Sequence, residues 1–419
     1  MKILVLEGFL AAALLVGTAL GQGTALDAQY LEELRAKARE EHPSVAAAQA
    51  RIRAAEAGVR EVRLWEDPMV GISVMGAEAG MRRDKGDLAF SAEQVLPRPK
   101  LYAAEKSRAR AERSMAAADL ESVTVKLETL VVKTAIELAL ADEIIAVDTN
   151  HVRWLEEMAG IARERVKDPQ GSASEALRIE SELAREHQQH RSDRRMRVRI
   201  ARQLNILLGR PPDEDWPVMK LPETAADAPG LESELAKIVS TNPMLQALFS
   251  TVEAAKADVE IARRKSKPVF SLGVDSRIYS GGDFREAAVG AKMSIPLFNR
   301  SIYRANVERA REQQEAAQKE IEALERELRS EMVTAYTDAD NAGHEAATYA
   351  SDVIPRAQKA AEATQTAWIT STADILEVLE ARRAELTARL EERRLVAAHS
   401  AALETLRSIV PPKHTNLNR

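Results

Sequence analysis

The sequence contains no cysteine. That excludes disulfides, thiolate metal sites and a lipid-modified N-terminal cysteine. Aromatic residues make up only 4% of the 419 residues. Half of them gather in or beside two short stretches: Trp65, Phe90, Tyr102, Phe270, Tyr279, Phe284, Phe298 and Tyr303. Such clustering is expected of girdles at a membrane–water interface, although strand propensity alone also draws aromatics together. Past residue 21 no run is long and apolar enough for a membrane helix. A net charge of −6 argues against a nucleic-acid partner. The one local basic run, His190–Arg202, is interrupted by apolar residues at helical spacing and reads as a solvated helix face. No Gly-rich phosphate loop, nucleophile elbow or HExxH motif is present, so neither catalysis nor a cofactor is expected. His187 and His190 share a helix face but lack a third ligand. Met69, Met75 and Met81 read as gap-filling or lipid-facing side chains, not copper ligands, which leaves no expected metal site.

What is present is mostly helix. The composition, 45% hydrophobic and 30% charged with an Ala/Glu/Arg/Leu bias, points to long helices. Residues 1–21 carry Lys2, an apolar run over 9–16 and small residues before Gln22. That is a secretory signal pattern, with cleavage expected after Gly21.

The exceptions to helix are two stretches bounded by prolines. Over 268–296, Phe270, Leu272, Val274 and Ile278 alternate with Ser271, Gly273, Asp275 and Arg277. After Ser280-Gly281-Gly282-Asp283 the alternation resumes, with Ala287, Val289, Ala291, Met293 and Ile295 against Glu286, Gly290, Lys292 and Ser294. This is a β-hairpin of strands about ten residues long, enough to cross a bilayer when tilted. A matching hairpin spans 68–97, where Val70, Ile72 and Val74 answer Leu88, Phe90 and Ala92. Its loop at 76–87 and the loop at 280–284 are expected on the side opposite the chain ends. The repeat extends further: His42-Pro43 matches Asn242-Pro243, and Pro68 matches Pro268. Two copies of one unit follow, 22–210 and 231–410, with a connector at 211–230 and a C-terminal tail at 411–419.

Each copy reads as a helix, the hairpin, and a long helical hairpin. The first helix is expected over 28–63 and again over 231–265. The long helix runs from Lys100 to Val166, then from Ser301 to Trp368. The tips fall at 167–174 and 370–374, with Ser172 or Ser174 capping the first return helix and the second running from Ile375 to Ile409. Along the second long helix, Val307, Ala310, Gln314, Ala317, Ile321, Leu324, Leu328, Met332 and Ala335 trace a coiled-coil seam. A long helix of about 67 residues equals two shorter ones end to end, which makes a rod of about 100 Å. Four strands cannot close a barrel, and open edges are not tolerated in lipid, so further copies must complete it. Two chains would supply eight strands and three would supply twelve.

In this order, HPSVAAAQARIRAAEAGV and NPMLQALFSTVEAAKADVEIARRKSKP before the hairpins, QVLPRPKLYAAEKSRARAE and MSIPLFNRSIYRANVERAREQ after them, and STADILEVLEARRAEL at the second tip resemble the TolC family of outer-membrane efflux channels. The resemblance covers essentially the whole mature sequence. It implies a mainly α fold with a transmembrane β part: a homotrimer with a twelve-stranded barrel in outer-membrane lipid and a helical tunnel in the periplasm. There the channel would meet a periplasmic adaptor and an inner-membrane pump. The EDPM…QVLPRPK pattern looks most like the metal-efflux branch, served by resistance-nodulation-division pumps. Carried onto this chain, the family's acidic gate falls on Glu377 and Glu380, three apart and so on one helix face. They read equally as solvated coiled-coil charges. Ser371 stands where a glycine is often seen, and Ala373 where some members have an arginine, so the closing bonds do not transfer. The small residues Gly171, Ser172, Ala173, Ser174, Ser371, Thr372 and Ala373, with Asp374, mark the tips as the expected adaptor-docking points. The competing reading is a periplasmic coiled-coil adaptor that conducts nothing.

Overall fold

The structure is a computed structural model that describes residues 24–75, 87–167, 172–222, 230–279, 284–296 and 298–412. The expected signal at 1–21, most of both hairpin loops, Gly171 and the tail past 412 lie outside the described residues. The first repeat comprises β1 (Thr24–Ala25), α1 (Ala28–Glu41), α2 (Pro43–Glu61), β2 (Met69–Met75), β3 (Asp87–Val95), α3 (Pro99–Arg165) and α4 (Ala173–Leu207). After β4 (Met219–Lys220), the second comprises α5 (Leu231–Thr241), α6 (Pro243–Lys265), β5 (Val269–Tyr279), β6 (Phe284–Ser294), α7 (Arg300–Thr348), α8 (Ile354–Ile369) and α9 (Ile375–Ile409).

The leading helix of each repeat, expected to be continuous, is broken in two. His42 and Asn242 adopt extended backbone because each precedes a proline, whose ring crowds the helical conformation of the residue before it. Each then caps the helix that follows. His42 Nδ1 accepts from Ser44 N at 3.2 Å, and Asn242 Oδ1 accepts from Met244 N at 3.0 Å. The long helix of the second repeat is also interrupted, by a π-helical turn at Tyr349–Val353. Pro355, two residues on, has no N–H and clashes with the carbonyl one turn back. The wider turn, in which Ile354 N–H reaches Tyr349 O, relieves that conflict. By contrast α3 runs unbroken for 67 residues, about 100 Å.

The four long strands form one antiparallel sheet in the order β2-β3-β5-β6. Register bears out the alternation: Val70, Ile72 and Val74 face Ala92, Phe90 and Leu88, and Phe270, Leu272 and Val274 face Met293, Ala291 and Val289. Ala92 in turn faces Val274 across the joint between repeats, so the two hairpins share one continuous apolar face. That face is bare within the chain, with Val289 81% exposed. On the other face Ser271 Oγ donates to Glu93 at 2.7 Å and Lys292 Nζ to Glu93 at 2.6 Å, a polar network on the same pleat.

Below the sheet, α2 lies along the first half of α3, where Arg113 reaches Glu56, and α4 lies along the second half, where Arg163 reaches Glu180. All nine seam positions on α7 are buried or half-buried. The stretch after α4 is not a free connector. Trp216, Met219 and Leu221 are buried in the main core, and β4 pairs in parallel with β1. Asn205 accepts from Trp216 Nε1 at 2.7 Å and donates to Glu214 O at 2.7 Å, while the Asp142 and Glu143 carboxylates accept from Met219 N and Leu221 N. Buried backbone groups without such partners would cost too much to leave in the core.

Candidate functional site

The end of α3 and the start of α4 lie beside the turn between α8 and α9 at one end of the rod. The helix arriving at the second turn ends on Ser371 at φ 61°, a left-handed conformation that favours glycine. Ser371 N–H donates to Trp368 O at 3.0 Å and Thr372 N–H to Ala367 O at 2.8 Å, the paired bonds of a Schellman stop. Serine tolerates the strained position because its hydroxyl is held from outside. Arg165, at the last turn of α3, donates to Ser371 Oγ at 2.9 Å and to Trp368 O at 2.8 Å. Its guanidinium also stacks over the Trp368 ring, 4.6 Å from the centroid.

Trp368 is 1% exposed and donates from Nε1 to Glu175 of α4 at 3.1 Å. It anchors a cluster of Trp154, Leu155, Met158, Ile179, Ile375, Val378 and Leu379, in which both repeats take part. Trp154 likewise donates to Gln365 at 3.0 Å and lies beneath the Arg382 guanidinium. The tips are therefore locked together across the repeat boundary by two tryptophans and two arginines. Sequence reasoning passed over these residues. The concentration of two of only four tryptophans near the tips was the available signal.

On α4, Ala173 and Ser174 are exposed, and Ser172 takes the N-cap position without making a capping bond. Its hydroxyl lies 2.8 Å from Ser174 Oγ instead. On the other tip Thr372 and Asp374 are exposed, Ala373 is half-buried, and Asp374 caps α9 by accepting from Leu376 N at 3.3 Å. Glu377 and Glu380 project from the exposed face of α9, opposite buried Ile375, Val378 and Leu379. Neither makes an ion pair or side-chain hydrogen bond among the described residues. Arg383, three residues past Glu380 on the same helix, is engaged by Glu182 of α4 at 2.5 Å. Glu377 also sits in the first turn of α9, where a negative charge is favoured by the helix dipole.

Between the tip cluster and the main core the interior turns polar. Asp148, 2% exposed, has its carboxyl pushed up to about 7 by burial and by the nearby Asp193 and Glu186. Oδ2 of Asp148 has no hydrogen-bond partner among the described residues. His151, 3% exposed, is held down to about 4 by burial and then by Arg382, with both ring nitrogens unpartnered among the described residues. Among the described residues no three potential ligands stand together as a metal site. His187 sits instead 3.8 Å from Glu156, and Met69 is exposed on the sheet.

Residues 235–410 match the family model described as outer membrane efflux protein. Among curated proteins, none matches the chain by sequence. Solved structures do match in shape. The outer-membrane channel OprN superposes with a TM-score of 0.81 at 20% identity, covering 91% of this chain and 90% of its own. CusC, whose conformational changes accompany folding and transmembrane channel formation, gives 0.77 at 15%, covering 94% and 95%. The outer membrane protein VceC of Vibrio cholerae gives 0.76 at 17%, covering 91% and 96%. At these identities the likeness is one of fold.

Proposed function

We propose, for a chain that belongs to the outer membrane efflux protein family, that three copies join their sheets into a twelve-stranded barrel and their helices into a tunnel, forming the exit duct of an efflux assembly. The observation that carries this reading is the sheet itself. It has a bare apolar face, a polar face built around Glu93, and two free edges, β2 and β6, continuous with a rod of helices. Lipid outside and water inside suit those faces, and a closed ring is the arrangement that leaves no edge in lipid. In this reading the helices hang into the periplasm.

Their far ends, with Ser172, Ala173 and Ser174 beside Ser371, Thr372 and Ala373, receive a periplasmic adaptor tied to an inner-membrane pump of the resistance-nodulation-division type. Small side chains there admit the close approach of another helical hairpin. Threefold symmetry gathers Glu377 and Glu380 into a ring of six carboxylates at the mouth, which favours cations and fits heavy-metal ions as cargo.

Two experiments test the parts. Heat-modifiable trimers in outer-membrane extracts, together with ion conduction in planar bilayers, are expected, and a soluble periplasmic monomer would overturn the channel in favour of an adaptor. Ala173→Trp and Ala373→Trp should each abolish efflux while trimers still form. Normal transport by both would mean that the tips are not the docking point.

A further inference from the structure

A cleft lies where strands give way to helices in each repeat, and the two differ in how their charges are balanced. The first, of about 520 Å³, is enclosed by the ends of α2 and β3, the start of α3, and α6. Its guanidiniums are answered within the chain. Arg63 pairs with Asp67 at 2.6 Å, Arg98 with Glu66 at 3.7 Å, and Arg108 with Asp258 at 2.9 Å. The second, of about 820 Å³, lies between Pro268, the end of β6 and the start of α7. Lys267, Arg300, Arg304 and Arg311 line it, and none of these four side chains has an ion pair or hydrogen bond among the described residues. Two carboxylates, Glu308 and Glu312, share the space and leave cations in surplus.

The position of the cleft narrows the choice of ligand. Ile295, which lines it, continues the register of Val289 and Met293, so the cleft opens on the apolar side of the sheet, just past its last residue Ser294. Phe298 stands beside it, 97% exposed. The sequences around Arg108-Ala109-Arg110 and Arg309-Ala310-Arg311 are repeat equivalents, and Arg108 faces the neighbouring helix α6. By that correspondence a second copy would meet α7 on the face of Ile302 and Arg309. At about 100° per residue, Arg300, Arg304 and Arg311 point roughly the opposite way, leaving their side open in an assembly.

We propose that this cleft binds the phosphodiester of an anionic phospholipid headgroup, with acyl chains lying against Phe298 and the apolar strand face. The proposal rests on the reading of the sheet as membrane-embedded, and clustered basic residues at that depth are suited to anionic headgroups. The test is native mass spectrometry of the detergent-purified full chain, titrated with phosphatidylglycerol or phosphatidylethanolamine. The native protein should retain phosphatidylglycerol about tenfold or more over phosphatidylethanolamine, a preference that Arg300→Gln/Arg304→Gln/Arg311→Gln loses and Arg63→Gln/Arg98→Gln keeps. No preference in the native protein, or an undiminished one in the triple variant, overturns the site. Displacement of the lipid by an excess of inorganic phosphate alone would assign the cleft to free phosphate instead. A disulfide between Glu61→Cys of one copy and Arg304→Cys of another would assign it to the protein interface. Loss of the preference with heat-modifiable outer-membrane trimers intact concerns the cleft alone, whereas a soluble monomer removes the membrane reading as well.

Discussion

The two repeats place equivalent residues in different surroundings. Leu101 at the start of α3 is 4% exposed, packed with Ala104 against Ile261 of α6, whereas its counterpart Ile302 at the start of α7 is 57% exposed. Arg108 has Asp258 to pair with, whereas Arg309 has no ion partner among the described residues. At the tips Glu175 is bound to Trp368, while Glu377, also in the first turn of its helix, is unengaged among the described residues. The start of α3 is covered by α6 of the second repeat, and among the described residues nothing covers the start of α7 in the same way. In the trimer proposed above, the inner joint α3–α6 would be the template for an outer joint, α7 against α2 of another copy.

That contrast is broken most severely at its first pair. Leu101→Asp should unfold the upper rod, because a charge buried without a partner adds to the roughly 2–5 kcal/mol lost with the leucine. Ile302→Asp should leave the helix content of the chain intact and abolish trimers instead. Circular dichroism with crosslinking separates the two, and equal loss of fold in both variants would end the template argument.

Next in size is the lock between the tips. Trp368→Ala should cost about 3–5 kcal/mol of tip stability, read as urea-dependent loss of protection of 154–162 and 375–379 in hydrogen exchange, with the main core unaffected. Removal of Arg165, which holds the strained Ser371, should cost less, about 1–3 kcal/mol. Unaltered exchange in both would mean that the tips are held by something other than this cross-repeat contact.

The polar interior of the first repeat couples stability to pH. Asp148 has a folded pKa raised to about 7, so the stability it carries is full below the ordinary carboxylate range and is lost as pH rises through about 7. His151 is depressed to about 4, so its contribution is full above about 6.5 and is lost as pH falls toward 4. The two slopes oppose each other. Asp148→Asn should expose a stability that rises between about pH 4 and 6.5, and His151→Gln one that falls over the same range, each by up to about 1.4 kcal/mol per pH unit. Flat profiles in both variants would show these groups to be solvated.

The smallest effect concerns selectivity. Glu377→Gln with Glu380→Gln should reduce cation preference and block by trivalent cations in planar bilayers severalfold, most clearly at low salt, since charges farther apart than about 8 Å are screened at physiological ionic strength. The matching change Glu175→Gln should leave selectivity alone. Unchanged block in the double variant would place the constriction elsewhere.

Much of this architecture was legible in the pattern of residues. Alternation over 269–278 and 287–295 gave the strands and their faces, and spacing of three and four along Val307 to Ala335 gave the seam, because both are local consequences of period. The breaks at His42 and Asn242 were visible as prolines but were masked by apolar spacing that continues through them. The π turn before Pro355 was obscured in the same way. The packed stretch around Trp216 and the Arg165–Trp368 contact were not legible, since their partners lie far off in the chain, 203 residues apart in the second case. The exposure of Glu377 and Glu380 on one face follows from their spacing, whereas their want of a partner depends on Arg383 being taken by a different helix.

The order β2-β3-β5-β6 gives each chain an even number of alternating strands, so its two outer strands run in opposite directions. A copy laid beside another in the same upright orientation therefore offers an antiparallel match at every seam, inside the chain and between chains alike. In geometric terms the tile is the single hairpin with its helices, and the chain is two tiles printed together. A shorter polypeptide carrying one tile could pave the proposed ring in six pieces. What duplication would add to that ring is the freedom for alternate tiles to differ, so that it repeats three times around a circuit of six.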